Sequence, residues 1–148
     1  MAIQQPIGSD TLNSPSHSLS HRVFANDGSS PVKSVVVDSA GEVGIGTETP
    51  NSTLHVDGSI TAAYVAKTAT YTLTVSDYLV DCTANTFTIT LPTAAGITGR
   101  MYNIKNTGTG VITVDGDSSE TIDGETTQEV SQWENLTIMS NGANWIII

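Results

Sequence analysis

The sequence predicts an all-β fold: an extended arm over residues 1–31, a short β-hairpin connector over 32–68, and a small antiparallel β-sandwich or barrel over 69–148. Three observations lead there. Thr and Ser supply 38 of the 148 residues while the strong helix formers Leu, Glu, Lys and Arg are scarce, so strands and turns must dominate. From about residue 69 onward, apolar and polar residues alternate with a period of two in short runs. Those runs are separated at regular intervals by clusters of Gly, Asn, Asp and Ser, which is the spacing of a sandwich or barrel.

The arm holds Pro6, Pro15 and Pro31, and no helical or strand period persists along it. Such a segment cannot fold alone. Ile3, Ile7, Leu12, Leu19, Val23 and Phe24 are nevertheless too many apolar groups for a solvated linker, and they read as anchors for another surface. The competing reading is a disordered tail with incidental hydrophobes.

From Pro31 the pattern changes. Residues 33–38, Lys-Ser-Val-Val-Val-Asp, are β-branched, a turn follows at 39–42, and 42–46, Glu-Val-Gly-Ile-Gly, returns as the second strand of a hairpin. Pro50 breaks the chain, and Thr-Leu-His-Val-Asp at 53–57 alternates until Gly58 stops it. Residues 59–67 are compatible with a strand or a single helical turn, because Ala pulls one way and Ile, Thr, Tyr and Val the other; the balance leans to strand.

The alternating runs that follow are 70–75, 78–82, 86–91, 100–105, 110–115, 120–123, 128–130, 134–140 and 144–148. Each buries one face. In the third, Phe87, Ile89 and Leu91 share one side while Thr86, Thr88 and Thr90 share the other, so a threonine ladder faces water or a neighbouring chain.

Composition excludes several function classes. Five Lys plus Arg against 15 Asp plus Glu give a net charge of −10, the wrong sign for a nucleic-acid partner, whose phosphates demand clustered cations. No apolar run approaches the roughly 20 residues of a membrane helix, and the first ten residues lack the basic start and apolar core of an export signal. The expected product is soluble, made in the cytoplasm and not inserted in a membrane. Cys82 has no partner for an intrachain disulfide and reads as a small buried hydrophobe.

No motif carries enzyme chemistry. The acidic run 115–125 offers five carboxylates, but Glu120 sits where an EF-hand needs its turn Gly and Thr126 where it needs the bidentate Glu, so a solvated hairpin edge is the better reading and no metal is assigned. His17 and His21 stand four apart without the Glu of the zinc-protease motif. Gly41, Gly44 and Gly46 match neither phosphate-binding glycine pattern and read as turn glycines. His55 is the only histidine in the β region, with nothing to complete a triad, so no catalytic residue and no cofactor are expected. Trp133, in Ser-Gln-Trp-Glu, is the candidate for stacking on a sugar. Trp145 precedes Ile146, Ile147 and Ile148, and a strand with one buried face leaves two of these four apolar residues uncovered, so a partner chain is expected to cover them.

Residues 36–58 resemble a module of tailed-bacteriophage fibre and surface proteins, carried by Gly-Glu-Val-Gly-Ile-Gly-Thr at 41–47, Pro50 and Leu-His-Val at 54–56. Residues 10–22 look like the stretch preceding that module. Residues 78–81, 88–92, 120–124 and 142–146 are similar to a small β domain found on phage fibres. The resemblance implies a non-enzymatic virion-surface protein, an intertwined homotrimer. Fibres of this family commonly run several times longer, so a short trimer with an anchoring arm is closer to a capsid decoration or cement protein held on the major capsid protein or another virion protein. The alternative is a short tail or head fibre that binds a host-surface glycan.

Overall fold

The computed structural model describes residues 21–24 and 33–148, which are all-β, with thirteen strands and no helix. The chain divides into two compact units, Met1–Ile60 and Thr61–Ile148. The strand just before residue 68, Tyr64–Lys67, belongs to the second unit.

In the first unit β1 (His21–Phe24), β2 (Lys33–Val37), β3 (Val43–Ile45) and β4 (Leu54–Val56) form one sheet in that order. Residues 21–24 of the expected arm are thus a strand, with Val23 opposite Val35 and Phe24 opposite Lys33 beyond a bulge. Of the proposed anchors, Ile3, Ile7, Leu12 and Leu19 lie outside the described residues, as does His17. The β2–β3 hairpin closes through the Asp38 carboxylate, which accepts from the amides of Ala40 and Glu42, both at 2.9 Å. That is the local bonding for which Asp is favoured in turns. The next pair, β3 with β4, is parallel. At its end Gly46 has φ +78°, and a Cβ there would stand 2.5 Å from the Asp57 carbonyl oxygen, so a side chain is excluded by both conformation and space.

In the second unit the chain steps back and forth between two sheets. β5 (Tyr64–Lys67), β7 (Leu79–Cys82) and β9 (Met101–Asn106) lie parallel in one; β6 (Tyr71–Thr72), β8 (Thr88–Thr90) and β10 (Ile112–Asp115) lie parallel in the other. The path is a two-sided coil of three turns. It ends in antiparallel strands: β11 (Thr127–Val130) on β10, β12 (Asn135–Ser140) on β9, and β13 (Trp145–Ile147) on β12. The sheet orders are β11-β10-β8-β6 and β13-β12-β9-β7-β5. The expected antiparallel sandwich or barrel is corrected accordingly: both sheets are mixed and neither closes, so each keeps two edges. Residues 120–123, expected as a strand, make only isolated bridges from Ile122 to Glu125 and to Trp145.

Between the sheets lies one core, built from Val80, Cys82, Tyr102, Ile104, Ile138 and Trp145 on one side and Ile89, Leu91, Ile112, Val114 and Val130 on the other. Tyr102 and Trp145 pack at 5.6 Å between ring centroids, tilted by 45°, and the Tyr102 hydroxyl donates to the Thr74 carbonyl at 3.0 Å. Where the coil turns from one sheet to the other, successive corners stack directly. The amides of Thr107 and Gly108 both donate to the Cys82 carbonyl, at 3.0 and 2.8 Å. A Cβ on Gly108 would fall 1.8 Å from the Ala84 carbonyl oxygen. Asn106 pins the same corner, donating through Nδ2 to the carbonyls of Gly110 (2.7 Å) and Val130 (2.8 Å). Thr88 and Thr90 turn away from the core as the period of two requires, and register places them beside Thr113 and Thr72 respectively.

Candidate interaction surfaces

The turn from β11 to β12 presents Trp133. Its frame is set by Glu134, whose amide donates to the Ser131 carbonyl (3.0 Å) and whose Oε2 accepts from the Ser131 amide (2.9 Å). The Trp133 amide donates to the Asn106 carbonyl at 2.7 Å, and Lys105 Nζ donates to the Trp133 carbonyl. These bonds hold Trp133 at φ 71°, a left-handed conformation that costs a bulky L-residue roughly 1–2 kcal/mol, while its side chain stays 66% exposed. An aromatic ring is therefore displayed to solvent from a backbone that a glycine would occupy more cheaply. Nearby, the Asp81 carboxylate accepts from the Thr107 hydroxyl (2.7 Å) and the Tyr64 phenol (3.0 Å). That hydrogen bond, followed by desolvation and the Asp81 charge, holds the Tyr64 phenol above its ordinary pKa.

The second surface is the C-terminal edge. β13 is the last strand of its sheet, and its residues divide as the pleat dictates only in part: Trp145 is buried in its own chain's core, whereas Ile146, Ile147 and Ile148 keep 36%, 40% and 55% of their surface exposed. Of the four residues expected to await a partner, the three isoleucines are the ones still uncovered. Two methionines that no motif marks, Met101 and Met139, lie opposite one another in register, and Ile146 lies opposite Met139. The available signal was parity alone: each methionine alternates with a buried neighbour, Tyr102 or Ile138, and so occupies the outward side.

The acidic run does structural work. The Glu120 carboxylate accepts from the Thr93 hydroxyl (2.7 Å) and the Ala94 amide (2.8 Å), and Asp123 Oδ1 accepts from the Ile147 amide (3.2 Å). Among the described residues no group of three or more His, Cys, Asp or Glu is gathered in a way that could hold a metal ion. Cys82 is fully buried; desolvation, with a smaller contribution from the Asp81 charge, pushes its thiol up to about 12 and leaves it without nucleophilic character at neutral pH. His21 stands in β1, and His55 in β4 opposite Gly44, with its Nδ1 buried and unpaired. No protein-family model, curated protein or solved structure matches the chain.

Proposed function

We propose that this chain is a non-enzymatic structural protein of a tailed-phage virion: a homotrimeric capsid decoration or cement protein that sits on the particle surface and clamps neighbouring capsomers. The observation that carries the reading is the uncovered Ile146–Ile147–Ile148 run along and just past an edge strand. An exposed apolar strand edge is a liability unless another chain covers it. The likeness of residues 36–58 to the phage surface module supplies the context, with the arm 1–31 making the attachment to the major capsid protein or another virion protein. The chain acts without cofactor, nucleic acid or membrane insertion. Cement binds only the assembled shell, and mass action then favours that state.

The test compares particles with and without the protein. Those lacking it should release their genome at lower temperature yet adsorb to cells at near-normal rates. Normal heat resistance with lost adsorption overturns the reading in favour of a short tail or head fibre binding a host-surface glycan. That second reading is supported by Trp133, whose displayed ring is suited to stacking on a sugar.

A further inference from the structure

The two outward faces of the 61–148 unit differ in chemistry. On the four-stranded sheet, register sets Thr88, Thr113 and Glu129 in one outward row and Thr90 and Asp115 in the next, so that face is hydroxylated and acidic. On the five-stranded sheet, Met101, Met139 and Ile146 form one outward row, and Tyr64, Leu79, Asn103 and Thr137 form the next, the last two hydrogen-bonded to each other at 2.6 Å. The only charges on the outward side of those five strands are Asp81 and Lys105, which register places directly opposite each other. This face thus carries no net charge in a chain whose formal charge is −10.

We propose that the outward face of the five-stranded sheet is where copies of this chain meet. The inference rests on the homotrimer reading above and assigns that assembly its surface. The argument is electrostatic first. Copies of a strongly acidic chain repel one another, and the contact that costs least is between faces whose own charges cancel. A basic partner would be drawn instead to the face bearing Asp115 and Glu129. The apolar row supplies the attraction, and methionine adapts its shape to a facing copy more readily than a branched side chain does. Of the other exposed C-terminal isoleucines only Ile148, whose amide donates to the Thr137 carbonyl, shares the parity of Ile146 and extends this face, whereas Ile147, opposite Ile138, has the inward parity.

The experiment is the solution mass of the full chain, measured by light scattering at micromolar concentration, for the wild type, Met139→Glu, Ile146→Asp and, on the opposite face, Thr113→Glu. The expected result is a trimer for the wild type and Thr113→Glu, and a threefold fall in mass for Met139→Glu and Ile146→Asp with unchanged far-ultraviolet circular dichroism. Ile146 is partly exposed at a sheet edge, so its variant remains informative if Met139→Glu does not fold. A wild-type monomer overturns the homotrimer reading itself. An assembled wild type whose mass survives both face variants overturns this assignment and leaves the homotrimer standing, as does a Thr113→Glu variant that alone falls apart.

Discussion

Replacing Gly108 by Ala separates the coiled path from the hairpin path that the same sequence suggests. In a hairpin, residues 106–110 form an exposed turn with room for a methyl group. Gly108 has no positive φ, so the substitution would then stabilise by about 0.4–1 kcal/mol through the unfolded chain. In the stacked corners the new Cβ falls 1.8 Å from the Ala84 carbonyl oxygen, 2.8 Å from its carbon and 2.9 Å from its nitrogen. All three are main-chain atoms, so no side chain can swing aside. The corner must open by more than 1 Å, which also strains the two bonds to the Cys82 carbonyl. Overpacking of this kind costs about 1–3 kcal/mol. A domain of 60–100 residues loses about 4–8 °C of Tm per kcal/mol, so a fall of about 10–20 °C is expected at the middle to upper part of that cost. Thermal unfolding followed by circular dichroism, with urea titration as a second measure, reads it. An unchanged or raised Tm would refute the stacked-corner reasoning.

Other expectations follow from the same geometry. Trp133→Asn should raise stability by about 1 kcal/mol relative to Trp133→Ala, because Asn tolerates the left-handed conformation and Ala does not; equal urea midpoints would remove strain from the account of that turn. Asn106→Leu leaves the buried carbonyl of Val130 and the part-buried one of Gly110 without their donor and should cost about 1–3 kcal/mol in chemical denaturation, whereas no measurable loss would mean the corner is held by something else. The Cys82 thiol is raised in the folded chain, so between about pH 8.5, where an unfolded thiol ionises, and about 12 the unfolded state releases the proton first. Stability should therefore fall as pH rises through that window, and Cys82→Ala should flatten the slope; a native thiol that reacts at once with a disulfide reagent at pH 8 would contradict the burial. Deleting residues 2–31, which also removes β1, should leave soluble trimers that no longer bind purified capsids, and retained binding would place the attachment surface within residues 32–148.

The alternation along 78–82, 86–91 and 134–140 was legible in the chain because a period of two records directly which side chains face a core. It set Ile89 and Leu91 on one side of their strand and Cys82 among the buried hydrophobes, and all three lie in the core. The turn chemistry of Asp38 and Gly41 was likewise local and readable, since a hairpin of this length is decided by a few neighbouring bonds. What alternation leaves open is the identity of the strand alongside. An inward-facing Ile89 satisfies an antiparallel hairpin and a parallel coil equally well, and the choice lies in the stacked corners, where Gly108 meets Ala84 across more than twenty residues of sequence.

The sequence by itself determined an all-β chain, the period of two that sorts its strand residues into two faces, and an apolar end that its own strand cannot fully cover. Tertiary structure alone decided that consecutive strands change sheets and that Trp133 is held in a left-handed conformation. The division has one physical cause. Side-chain polarity and turn preference act between residues a few positions apart and are written in order along the chain, whereas strand pairing and backbone strain come from atoms that meet only after the chain has closed on itself.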